Sequence, residues 1–164
     1  MKSRAESAPK ADAGAADLRD FSQSLPMALL RARESVMARF RPNLRSHGVT
    51  EQQWRVLRAL AAAGETETTR LAEMVMLLPP SLSRILKDLI GRGLIARRTP
   101  ETDLRRSLVS LSPKGVALIA QVGPDSEAIY AEIEKLYGAE ALADLRKLLT
   151  RLEDALGAAT PEED

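Results

Sequence analysis

Apolar residues recur every three or four positions through most of this chain, a period that predicts helices. PPSLSRILKDLIGRG is the clearest case: Leu82, Ile85, Leu86, Leu89 and Ile90 fall on one stripe. Pro79 and Pro80 suit a first turn, where no backbone N–H is needed, and Gly93 is the stop. Upstream, VTEQQWRVLRALAAAG aligns Trp54, Val56, Leu57 and Leu60. Thr50, with Gln53 three residues on, has the form of a capping box, and Gly64 terminates the segment. TETTRLAEMVMLL predicts a second short helix with Leu71, Ala72 and Val75 facing in. A further helix starts at Leu25 with Met27, Leu30, Val36, Met37 and Phe40 in phase and is expected to end near Pro42. RPNLRSHG then reads as a separate short helical turn closed by Gly48.

After Gly93 the period changes to two. LIARR and LVSLS read as strands, with Val109 and Leu111 inward, joined by the polar loop TPETDLRRS. Ser112 and Pro113 open another helix through Val116, Ile119 and Val122, with an irregularity expected at Gly123-Pro124 before Ile129, Ile133 and Leu136. Gly138 breaks it, and a last helix carries Leu142, Leu145, Leu149, Leu152 and Leu156. Residues 1–20 and 158–164 lack this patterning and are expected to be a disordered arm and tail. The predicted fold is mainly α: a winged helix-turn-helix lobe over 49–112, with a two-stranded β-hairpin wing. The helices of 21–48 and 113–157 are left without a sheet to cover and are expected to form a dimerisation region.

Composition narrows the chemistry. The chain has 164 residues, no Cys and a single His, His47, which excludes disulfides, thiolate nucleophiles and multi-His metal sites. No catalytic cluster stands out, so no enzyme, cofactor or metal is expected. No apolar run reaches the roughly 18 residues of a membrane span, and the charged, Ala-rich N-terminus has no secretory pattern, so a cytoplasmic protein is expected. Net charge is +1, but it is unevenly spread. Residues 81–106 hold seven Lys/Arg against three acids, whereas 107–164 hold five against eleven. A basic block in a chain with an acidic end fits a polyanion-facing surface, or two solvated faces of opposite sign.

Two segments carry that basic block. On the Pro79–Gly93 segment, Ser81, Ser83, Arg84 and Lys87 form a polar face, as expected of a helix that reads the major groove. On the hairpin, Arg98 ends the first strand beside Arg97, and Arg105 and Arg106 flank the tip. Arginine inserted into a narrow minor groove exploits its negative potential. Asp103, two residues before Arg105, is placed to pair with it and fix the tip; Arg106 is expected on a phosphate. The alternative is a winged-helix interaction module whose basic face binds an acidic protein.

The sequence RLAEMVMLLPPSLSRILKDLIGRGLIARR followed by DLRRSLVSLSPKG resembles the MarR family of winged-helix regulators. The wing pattern is met by Asp103, Arg105, Val109, Leu111, Ser112 and Gly115, and the segment preceding it by Gly93, Leu94, Ile95 and Arg97. Leu29 to Leu60 resembles the homoprotocatechuate degradation operon repressor branch, through Ala32-Arg33-Glu34, Phe40-Arg41-Pro42, His47 and Thr50 to Arg55. The resemblance implies a homodimeric repressor on a pseudo-palindromic operator in double-stranded DNA. It also implies release by a small phenolic or aromatic carboxylate and control of aromatic-acid catabolic genes. An effector pocket is then expected between the dimerisation helices and the DNA-binding lobe. Arg33 and Arg41 would supply guanidinium forks for the carboxylate, Trp54 an apolar wall and His47 a hydrogen bond. The oxidant-sensing members of the family use a Cys, which this chain lacks.

Overall fold

In the computed structural model the described residues are 20–101, 103 and 105–157; the expected arm up to Arg19 and the tail from residue 158 lie outside them. The chain divides into two compact units, the first ending at Ser35 and the second beginning at Val36. In the first, the Asp20 side chain accepts from the Ser22 N–H at 2.8 Å and starts a 3-10 turn at Phe21–Gln23. Arg31 donates to the Ser22 carbonyl at 2.7 Å. Helix α1, Leu25–Ser46, runs through the boundary.

The second unit continues with α2 (Glu51–Ala63), β1 (Thr66–Glu67), α3 (Thr68–Met74), α4 (Pro79–Gly91), β2 (Ile95–Arg98), β3 (Leu108–Leu111), α5 (Pro113–Tyr137) and α6 (Ala139–Gly157). The capping box forms as expected. Thr50 Oγ1 accepts from the Gln53 N–H, and the Gln53 side chain accepts from the Thr50 N–H, at 3.2 and 2.8 Å. Leu82, Leu86 and Leu89 of α4 are buried with Val56, Leu57, Leu60, Leu71, Val75, Leu94, Ile95 and Val109 in one aliphatic core. Gly93, at φ 70°, turns the chain from α4 into β2, a backbone region that favours glycine.

The structure corrects three expectations. The wing belongs to a three-stranded sheet ordered β1-β3-β2, because Thr66 and Glu67 pair antiparallel with Val109 and Leu108. Pro42 does not end α1; the helix runs on to Ser46, so RPNLRSHG is not a separate turn. Phe40 and Leu44 are buried on either side of that proline, and their packing outweighs the backbone hydrogen bond it removes. Pro124 likewise lies inside an unbroken α5, between buried Val122 and Ser126. Leu30 and Val36 of α1 and Leu145, Leu149 and Leu156 of α6 are in phase as expected and lie exposed on the single chain.

The N-terminus of α5 is tied to the wing base. Ser112 Oγ donates to the Gly93 carbonyl at 2.7 Å and accepts from the Gly115 N–H at 3.0 Å, while the Ser112 N–H donates to the Leu94 carbonyl at 3.1 Å. A Cβ on Gly115 would lie 2.1 Å from that Leu94 oxygen, which is backbone and cannot swing aside. Gly115→Ala should therefore lower stability by about 1–3 kcal/mol, the usual cost of overpacking, read as a drop in denaturation midpoint.

Candidate nucleic-acid interface

With Leu82, Leu86 and Leu89 held in the core, the other face of α4 is turned to solvent. Ser81, Ser83, Arg84 and Lys87 are all exposed there, and among the described residues no ion pair engages Arg84 or Lys87. Pro79 and Pro80 occupy the first turn, so the helix opens without their N–H groups and presents side chains instead. Ser83 and Arg97 border one groove of about 610 Å³ between α3, α4 and β2, so the polar face of α4 is contiguous with the hairpin.

The four hairpin arginines differ. Arg97 donates from Nε to Ser107 Oγ at 2.6 Å across the strand pair. Arg98 forks onto Glu65, Nε to Oε1 at 2.6 Å and Nη2 to Oε2. Arg106 is ion-paired with Glu67. Only Arg105 stands clear, its side chain 98% exposed. Asp103 holds the tip mainly through the backbone: its Oδ1 accepts from the Arg105 N–H at 3.0 Å, while the Arg105 guanidinium is 4.0 Å away. The Arg98 hydrogen bond keeps the Glu65 carboxyl below the usual carboxylate range against a smaller opposing effect of burial, so this pair is charged at neutral pH.

Sequence reading missed Glu65 and Glu67 as wing partners. Residues Glu65 to Thr68 are all polar, so no apolar alternation marked the two-residue β1, and the segment was absorbed into the start of the next helix.

The residues expected at an effector pocket are dispersed among local partners. Arg33, in the first unit, pairs with Glu34 at 2.7 Å. Arg41 and Arg55 share the carboxylate of Glu51 at 3.2 and 3.4 Å. His47 Nδ1 lies 3.0 Å from the Asn43 carbonyl and 3.3 Å from Ser46 Oγ, at the end of α1. Trp54 is half-buried, with the Arg58 guanidinium 6.0 Å from its ring centre. Arg41, His47 and Trp54 do not line the 610 Å³ groove. Buried Phe40 packs on the exposed Tyr130 with ring centres 4.8 Å apart. Among the described residues no group of His, Asp or Glu could hold a metal ion, and no helix is long and apolar enough to cross a membrane.

Comparison with known proteins agrees with the winged helix-turn-helix fold. The MarR family signature matches residues 49–107, the span from the end of α1 into the wing loop. The HTH-type transcriptional regulator FarR of Neisseria gonorrhoeae is 38% identical over 81% of this chain and 93% of its own length. The homoprotocatechuate degradative operon repressor of Escherichia coli is 40% identical over 77% of this chain and 85% of its own. A crystal structure of NadR in complex with 4-hydroxyphenylacetate superposes with a TM-score of 0.71 at 36% identity, over 82% of this chain and 96% of that one. FarR and the homoprotocatechuate operon repressor are regulators, not enzymes. With a winged helix-turn-helix in place and relatives of this closeness along most of its length, the chain belongs to the MarR family of transcriptional regulators.

Proposed function

We propose that this protein is a cytoplasmic, homodimeric repressor of aromatic-acid catabolic genes, released from a pseudo-palindromic operator by a small aromatic carboxylate. The observation that carries the DNA-binding half is the contiguity of the exposed face of α4 with the arginine-bearing wing across the groove bordered by Ser83 and Arg97. Ser81, Ser83, Arg84 and Lys87 read or anchor the major groove, while Arg105, held out by Asp103, enters the flanking minor groove. Arg98 and Arg106 take phosphates.

The domain division follows: 49–112 as the DNA-binding lobe, 21–48 and 113–157 as dimerisation segments. Helix α6 buries no residue, yet Leu145, Leu148, Leu149 and Leu156 lie exposed on it, with Leu136 and Tyr137 at the end of α5. Apolar surface of this extent fits a second copy. Two recognition helices would then meet half-sites about 10 base pairs apart.

The effector class rests on the 40% identity to the homoprotocatechuate operon repressor and the 36% identity to the NadR complex with 4-hydroxyphenylacetate. Arg33, Arg41, His47 and Trp54 remain the proposed contacts. The Arg58 guanidinium beside Trp54 adds a cation next to an aromatic wall. A ligand that prefers a dimer with the wrong half-site spacing lowers DNA affinity by its differential affinity for the two states.

Selection of bound genomic fragments gives the operator, on which three outcomes are expected. Arg105→Ala weakens operator binding by on the order of tenfold at physiological salt; unchanged affinity removes the minor-groove role. Arg84→Ala costs about 1–3 kcal/mol on the operator and less on random DNA; equal losses make it a phosphate contact. Titration with 4-hydroxyphenylacetate changes the emission of Trp54, the sole tryptophan, and releases the operator. If neither happens and calorimetry shows no heat of binding, the effector reading is wrong and the DNA-binding one stands.

A further inference from the structure

Glu65 and Glu67 place two carboxylates inside the wing of a protein that has to meet a polyanion. Glu67 is fixed there by strand pairing, and Glu65 sits immediately ahead of β1. Glu67 stands opposite Leu108, which stands opposite Arg98 on its other side, so one row crosses all three strands. Residues in register on neighbouring strands share a face of the sheet. From this edge Glu65 accepts the Arg98 fork and Glu67 takes Arg106.

A guanidinium uses the same forked geometry for a carboxylate and for a phosphate. Both pairs are substantially exposed: side-chain exposures are 59% and 36% for Arg98 and Glu65, and 52% and 34% for Arg106 and Glu67. Exposed pairs contribute little to folding, so the wing does not depend on them, and a stronger anion can displace the acid. Glu65 stays ionised at neutral pH, so it competes for its arginine throughout the physiological range. Arg105 has no such partner within fork distance, which sets Arg98 and Arg106 apart from it.

We infer that Arg98 and Arg106 form a phosphate-binding site at the base of the wing, which the free protein keeps closed with its own Glu65 and Glu67. Binding DNA then exchanges carboxylate for phosphate at two positions. The two acids hold down the sequence-independent part of the affinity, which keeps a repressor releasable from its operator and limits its retention on other DNA. This inference rests on the reading of the wing as a DNA contact.

The test uses the full chain and a random-sequence duplex of about 30 base pairs, followed by fluorescence anisotropy. Glu65→Gln with Glu67→Gln should tighten binding by about tenfold to a hundredfold at about 0.15 M salt, with the gain shrinking as salt rises. The denaturation midpoint should stay near that of the unaltered protein. Arg98→Ala with Arg106→Ala should weaken binding, and adding the two glutamine substitutions to that variant should recover little. Unchanged or weaker binding by the glutamine variant overturns the exchange: the acids would then be inert, or would position the arginines for DNA. A gain that persists in full without the arginines also overturns it, leaving general repulsion as the cause. If the two alanine substitutions leave affinity intact, the wing reading itself fails at Arg98 and Arg106.

Discussion

The burial of Leu82, Leu86 and Leu89 decides where everything else on α4 points. Each fully buried leucine is worth roughly 1.5–3 kcal/mol relative to exposure, so the stripe fixes the rotation of the helix about its axis far more firmly than any polar contact on its outer face. That rotation sets Ser81, Ser83, Arg84 and Lys87 towards solvent together. The same core takes Val109 from β3 and Ile95 from β2, so the hairpin is docked by the packing that orients the helix. With so few aromatic residues, this core is built from aliphatic side chains and depends on close fit. Gly115 shows how close: its Cα faces the Leu94 carbonyl with no room for a methyl group.

Much of this was legible in the chain because local and global preferences agree. The 3.6-residue stripe of α4, its N-terminal prolines, the Thr50–Gln53 box and the Ser112–Pro113 start of α5 all form as their residue types dictate. The misreadings arise where the two disagree. Pro42 and Pro124 are poor helix residues, but each has buried neighbours in the adjoining turns, and packing overrides the lost hydrogen bond. β1 is two residues long, too short for periodicity to declare it; it exists because β3 offers an edge. The apolar positions of α6 are correctly in phase but lie on the surface of a single chain. A periodic stripe says that a face will be covered, not by what.

The candidate site was less legible than the fold, for a physical reason. Sequence shows which residues carry charge but not which charges cancel. Arg97, Arg98, Arg105 and Arg106 look equivalent along the chain. In space Arg97 is held by Ser107, Arg98 and Arg106 face acids just before and within β1, some 30 to 40 residues upstream, and of the four Arg105 reaches furthest into solvent. The opposition of Asp103 to Arg105 was visible from spacing, yet the bond that matters is to the backbone N–H, which fixes the chain and leaves the guanidinium outward.

One electrostatic pattern links the wing to the region expected to hold an effector. Arg41 and Arg55 share Glu51 much as Arg98 engages Glu65 and Arg106 engages Glu67. In each place an anion from outside would meet a guanidinium already engaged with a carboxylate. Such a ligand gains only the difference between its own fork and the one it replaces, together with whatever burial it brings. A phosphate brings the connected charge of a duplex, so many small exchanges add along the interface. A single aromatic carboxylate has no such multiplicity. On the proposed effector reading its affinity would come from its ring, against an apolar surface such as Trp54, with the carboxylate serving to orient it.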